Sequence, residues 1–127
     1  MLDKAAEIHR QMLVGGEWVD SINGETIAVE NPGNRTTLGY VPRGDAEDVD
    51  RAARAAETAF ESWSKVTPRD RGRMLLRIAE DIEARTEELA RIIAAETGNA
   101  LRTQARPEAA LAADIFRYFG GLARPPK

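Results

Sequence analysis

The spacing of apolar residues changes at Gly44 and divides the chain into a β-rich front and a helical back. Before Gly44 the sequence predicts short strands over residues 12–14, 17–19, 26–29 and 36–41, separated by turn residues. Strands of this length cannot close a core of their own. We therefore expect a small antiparallel β flap that packs against something else.

Four helices are predicted after Gly44, and each begins at a residue that suits the first helical turn. The predicted starts are Asp45, Thr67 followed by Pro68, Thr86 as the cap of the third helix, and Pro107. The third helix is expected to end at Gly98, because glycine readily adopts the left-handed conformation that follows many helices. The fourth helix is expected to end near Leu122.

The predicted helices carry apolar or alanine-rich faces that are wider than the short strands can cover. The stripe of the first helix runs from Val49 to Trp63 at helical spacing, and the stripe of the fourth includes Leu111. Aromatic residues spaced as core anchors are Trp18, Phe60, Trp63, Phe116 and Tyr118. Either a four-helix arrangement with the flap buries these faces, or they are surface meant for a partner or a missing part of the chain.

The residue types that the chain lacks exclude several kinds of site. Its 127 residues include no cysteine and only one histidine, His9, which excludes a thiolate nucleophile, cysteine-ligated metals and paired-histidine metal sites. The 18 basic and 21 acidic side chains give a net charge of −3, which argues against a nucleic-acid partner. No apolar run is long enough for a membrane span, and the amino end has no signal-peptide core. The sequence therefore predicts a cytoplasmic protein with no membrane partner.

Candidate chemistry is sparse among the remaining residues. No glycine-rich dinucleotide or phosphate loop occurs, and no nucleophile lies beside a base. Most carboxylates fall at helix starts or on polar helix faces. Glu96 differs, because it lies at a helix end, where the helix dipole disfavours negative charge. A salt bridge to a nearby arginine is the favoured explanation for Glu96, and an ion ligand is the alternative.

Seven short motifs follow one another in order along most of the chain. They are Gly16-Glu17-Trp18-Val19, Val29-Glu30-Asn31-Pro32, Gly44-Asp45-Ala46-Glu47-Asp48-Val49-Asp50, Ala59-Phe60 with Trp63, Pro68-Arg69-Asp70-Arg71, Glu96-Thr97-Gly98, and Phe116-Arg117-Tyr118-Phe119 with Gly121-Leu122-Ala123. In this order they resemble the amino-terminal part of the NAD(P)-dependent aldehyde dehydrogenase superfamily. The resemblance runs from about Met12 to Ala123.

The resemblance implies an α+β fragment of an α/β fold, in which the dinucleotide-binding sheet comes later in the family's chain. Residues 1–127 are then a single partial domain, the amino-terminal part of the coenzyme-binding domain. Its expected parts are a short helix or tail over 1–11, the β flap over 12–42, a helical region over 45–123 and a tail over 124–127. The apolar helix faces would pack against the family's sheet.

The resemblance also implies a chemistry. Members of the family oxidise aldehydes to acids through a cysteine thiolate, pass a hydride to NAD or NADP, and use a glutamate to activate the hydrolytic water. The motifs for the nucleophile and for the dinucleotide site lie beyond this segment in the family. The chain alone is therefore expected to have no catalytic residues, to bind no coenzyme and to show no activity.

Two minor sites carry over by resemblance. Family members bind a monovalent cation through backbone carbonyls before the Asn-Pro turn and an acidic side chain, which here are Val29, Glu30 and Glu96. The site would be incomplete in this chain. The family's aldehyde entry tunnel is lined in part by the fourth helix, at positions matched by Pro107 and Leu111.

Three roles for the chain stay open at this point. It is the amino-terminal segment of an aldehyde dehydrogenase, or the non-catalytic subunit of a split dehydrogenase, or a standalone module that self-associates or binds another protein. The sequence favours the first role, because the apolar faces have no charged substitutions that would suit a separate module. The expected partners are a second copy of the chain or the missing catalytic part.

Overall fold

The computed structural model describes residues 11–123. The chain divides into two compact units, residues 1–65 and residues 66–127. Among the described residues, the first unit holds four strands and one helix, and the second holds three helices and a π-helical turn. The predicted tail over residues 124–127 lies outside the described residues. The predicted short helix or tail over residues 1–11 also lies outside them, except for its last residue. The grouping of residues 1–127 as one partial domain stays a prediction.

The strands of the first unit form two antiparallel hairpins, as predicted. Strand β1 (Met12–Val14) pairs with β2 (Glu17–Val19), and β3 (Thr26–Glu30) pairs with β4 (Thr37–Pro42). The turn between β1 and β2 is Gly15–Gly16, with φ of +64° and +87°. A two-residue hairpin turn of type I′ needs positive φ at both positions, and glycine adopts it without strain.

Helix α1 (Ala46–Trp63) begins at the predicted cap, Asp45, whose carboxylate accepts hydrogen bonds from the backbone N–H groups of Glu47 and Asp48. The Asp48 carboxylate in turn accepts a hydrogen bond from the Asp45 N–H, and Asp48 is only 3% exposed. Its oxygens also accept the Ile22 N–H at 3.2 and 3.3 Å. One buried carboxylate therefore fastens the turn after β2 to the start of α1.

The second unit begins with α2 (Pro68–Ala84), capped by Thr67 as predicted. Helix α3 (Thr86–Thr97) ends at Gly98 with φ of +77°, also as predicted.

The prediction that Thr86 caps α3 is wrong. Thr86 is already helical, and its hydroxyl donates to the carbonyl of Glu83 at 2.8 Å and that of Ile82 at 3.3 Å. Only Arg85 separates α2 from α3, so the last carbonyls of α2 lie within reach of this hydroxyl. Arg85 takes the cap position and makes no capping bond with its side chain.

Helix α4 (Arg106–Leu122) begins one residue before the predicted start and follows the π-helical turn Leu101–Ala105. It crosses α2 closely at Gly72 and Gly120. A Cβ placed on Gly72 would lie 2.7 Å from the carbonyl oxygen of Gly120, and one on Gly120 would lie 3.1 Å from the Cγ of Leu76. The two helices therefore meet backbone to backbone.

The buried apolar residues of the described chain are alanines only: Ala79, Ala90, Ala105, Ala109 and Ala113. Among residues 11–123 no large side chain is fully buried. Four of the five predicted core anchors are exposed, namely Trp18, Phe60, Trp63 and Tyr118. The described residues of each unit therefore leave large apolar side chains uncovered. Within residues 11–123, no helix has the length and apolar content of a membrane span.

Candidate functional site

Helix α4 is apolar on two opposite sides. Three of its small residues, Ala109, Ala113 and Gly120, are buried where α4 meets α2 and α3. The opposite side carries residues at steps of three and four, which places them in one line along the helix. We call this line the α4 stripe: Pro107, Leu111, Ile115, Tyr118 and Leu122.

The α4 stripe is open to solvent. Leu111 is 56% exposed and Ile115 is 47% exposed. The charged Asp114, which pairs with Arg117 at 2.9 Å, flanks the stripe between Leu111 and Tyr118. A helix that is apolar on both sides is typical of a buried position between two layers. The described residues supply one of those layers, through the small-residue side. The α4 stripe is therefore a surface on which another apolar surface could pack.

The structure places the two predicted tunnel residues, Pro107 and Leu111, one turn apart at the amino-terminal end of the α4 stripe. Both are exposed. Their role in lining a tunnel stays a prediction. The predicted tunnel positions do not include Ile115, Tyr118 and Leu122, although the spacing of these residues from Leu111 is visible in the sequence.

Ion pairs hold α4 in place on its neighbours. The Arg106 guanidinium donates to both carboxylate oxygens of Glu87 on α3, at 2.8 and 3.1 Å. The Arg117 guanidinium reaches Glu83 on α2 at 2.7 Å. These contacts link α4 to both of its neighbouring helices.

Glu87 is the most strongly perturbed of these carboxylates. The hydrogen bond from Arg106, helped by Arg91 at 2.9 Å, lowers the pKa of Glu87 from 4.5 to about 2. The sequence places Glu87 among the carboxylates at the helix starts, where a capping or solvated charge is expected. Arg106 lies 19 residues away, so no local pattern could show this pair.

We expect Glu87→Gln to remove a pH-dependent part of the stability of the second unit. Because the folded state lowers the pKa of Glu87, the carboxylate stabilises the fold above pH 4.5, and this contribution is lost as the pH falls towards 2. The variant should melt at a lower temperature than the wild type at pH 7, and the difference should shrink at pH 3. Thermal unfolding followed by circular dichroism measures this. An equal difference at both pH values would contradict the assignment.

The residues predicted to bind a cation belong to the two separate units. Val29 and Glu30 end β3, and the Glu30 side chain pairs with Arg35 at 3.0 Å. Glu96 lies in the last turn of α3 and is exposed. The salt bridge expected for Glu96 is absent among residues 11–123, and its role as an ion ligand stays a prediction. Between residues 11 and 123, no three acidic, histidine or cysteine side chains gather into a metal site.

Comparisons with known proteins agree with the resemblance. The sequence profile of the aldehyde dehydrogenase family matches residues 18–127. The chain is 38% identical over 117 residues to aldehyde dehydrogenase family 2 member B4, mitochondrial, of Arabidopsis thaliana. This match covers 91% of this chain and 22% of that protein. It is 39% identical over 115 residues to phenylacetaldehyde dehydrogenase of Pseudomonas fluorescens, with 89% of this chain and 23% of that protein covered.

A solved structure shows the same fold. The chain matches a point mutant of betaine aldehyde dehydrogenase from Staphylococcus aureus, in complex with NAD+, with a TM-score of 0.89 and 36% sequence identity. The match covers 93% of this chain and 24% of that one. The predicted fold class, the amino-terminal part of an aldehyde dehydrogenase fold, is confirmed. The chain spans about a quarter of the length of these relatives, and it belongs to the aldehyde dehydrogenase family.

Proposed function

We propose that this chain supplies the amino-terminal segment of an NAD(P)-dependent aldehyde dehydrogenase and oxidises no aldehyde by itself. The observation that carries the proposal is the α4 stripe, a line of large apolar residues left open in a chain that belongs to this family. A stable helix with two apolar sides favours a second layer. In the proposed enzyme, this second layer over the α4 stripe is supplied by residues other than these 127.

The sequence supports a structural role for this chain, with the catalytic groups supplied by other residues of the enzyme. The 127 residues contain no cysteine, so the thiolate that attacks the aldehyde would come from outside them. The same holds for the glycine-containing turn over the coenzyme pyrophosphate. The role of this chain is then structural: it fills one side of the coenzyme-binding domain and presents α4 to the rest of the enzyme.

Two site assignments extend the proposal. Pro107 and Leu111 would line the path of the aldehyde, which fits their exposure on the α4 stripe. The carbonyls of Val29 and Glu30 and the carboxylate of Glu96 would form part of a monovalent cation site. An exposed carboxylate without an ion pair among the described residues is a suitable ligand for such an ion.

A chimera tests the proposal. In betaine aldehyde dehydrogenase from Staphylococcus aureus, residues 18–123 of this chain replace the matched segment, and NADH formation from betaine aldehyde is followed by absorbance. We expect turnover by the chimera and none by the 127-residue chain alone. Leu111→Lys in the chimera should reduce turnover by on the order of tenfold or more, because it places a charge in an apolar contact. Ala110→Lys, on an exposed side of α4 outside the stripe, is the matched control.

Two results would overturn the proposal. One is NADH formation by the 127-residue chain in a preparation free of host dehydrogenases. The other is a chimera that assembles like the parent enzyme and binds NAD+ but oxidises no betaine aldehyde.

A further inference from the structure

The turn after β2 contains the only Asn-Gly pair of the sequence, Asn23–Gly24, and both residues are exposed. We propose that Asn23 is a site of spontaneous deamidation, and that the carboxylate formed there destabilises the start of α1. The inference concerns the first unit alone and does not depend on the proposed function.

The chemistry needs only the chain and water. The backbone nitrogen of Gly24 loses its proton and attacks the side-chain carbonyl carbon of Asn23, a C–N bond forms, and ammonia leaves to give a succinimide. Water then opens the ring at either carbonyl and yields aspartate or isoaspartate at position 23. Glycine favours the attack because it has no Cβ to obstruct the approach and because its backbone adopts the conformations that the ring requires.

Two hydrogen bonds hold the turn closed. The Gly24 N–H donates to the carbonyl of Ser21 at 2.9 Å, and the side-chain oxygen of Asn23 accepts the Glu25 N–H at 2.8 Å. Both groups that must react are therefore occupied in the folded turn. Deamidation then proceeds through local opening of this short, exposed turn, which needs no unfolding of the rest of the unit.

The product would meet negative charge at the start of α1. The Asn23 amide nitrogen donates to the Asp45 carboxylate at 3.3 Å. After deamidation this donor becomes a second carboxylate beside the first. Asp45 accepts two backbone N–H groups as the cap of α1, and the buried Asp48 carboxylate lies in the same capping box, held by Arg51 at 3.0 Å. Like charges this close repel, which weakens the cap.

The four asparagines of the chain provide an internal comparison. Asn31 precedes Pro32, which has no N–H to react, whereas Asn34 precedes Arg35 and Asn99 precedes Ala100. After incubation of the whole chain at mildly alkaline pH, peptide mapping by mass spectrometry should find Asn23 converted on the order of tenfold faster than Asn34 or Asn99. Isoaspartate-specific methylation should label the same peptide. Conversion of Asn34 or Asn99 at an equal or higher rate would overturn the assignment.

A double-mutant cycle tests the consequence for α1. Asn23→Asp should lower the melting temperature of the chain, and the decrease should be at least halved in an Asp45→Asn background, because asparagine keeps the cap without the charge. If Asn23→Asp prevents folding, recovery of helical circular dichroism in the double variant is the expected result. An equal decrease in both backgrounds, or none in either, would overturn the proposed repulsion.

Discussion

Gly72→Ala is expected to lower the free energy of unfolding of the second unit by about 2 kcal/mol. The added Cβ would lie 2.7 Å from the carbonyl oxygen of Gly120 and 3.2 Å from the Cβ of Ala123. The first of these atoms belongs to the backbone of α4 and cannot rotate away, so the two helices must separate. Alanine gains up to ~1 kcal/mol of helix propensity over glycine, which offsets only part of this cost.

Gly121→Ala is the matched control, because Gly121 is also a helical glycine, next to Gly120 in α4, and a Cβ there would meet nothing within 4 Å. It should be neutral or stabilise the unit by up to ~1 kcal/mol. Urea unfolding followed by circular dichroism gives both values. If Gly72→Ala were as stable as Gly121→Ala, the close crossing of α2 and α4 would be wrong.

The local features of the fold could be predicted from the sequence. Asp45 and Thr67 cap their helices as expected, because a cap is decided by a few neighbouring residues. Gly98 ends α3 for the same reason. Thr86 is the exception, because its hydroxyl bonds to carbonyls at the end of α2. The residues of α3 alone do not show that α2 ends so close to Thr86.

Burial and long-range pairing could not be predicted in the same way. Periodicity showed that Phe60 and Trp63 share the apolar side of α1 but not that the side is open, since exposure depends on what packs there. The pair of Glu87 and Arg106 joins two helices across a turn and has no sequence signal. For the candidate site, Pro107 and Leu111 came from the family resemblance, and the structure added the rest of the α4 stripe.

Leu111→Lys is expected to prevent self-association of the chain without loss of thermal stability. Leu111 is 56% exposed, so its replacement removes little buried apolar surface from the fold. Any association through the α4 stripe, in contrast, would have to bury the new charge. Ile115→Lys, one turn further along the stripe, should act in the same way. Ala110→Lys adds the same charge at an exposed neighbouring position outside the stripe and should leave association unchanged.

Light scattering of the purified chain tests most directly whether the α4 stripe is a binding surface. We predict an average mass above that of the monomer for the wild type and for Ala110→Lys, and the monomer mass for Leu111→Lys. Calorimetry of the same samples should give similar melting temperatures for the two lysine variants. A wild-type chain that is a monodisperse monomer and unfolds in one cooperative transition would contradict the claim that this surface requires a covering layer.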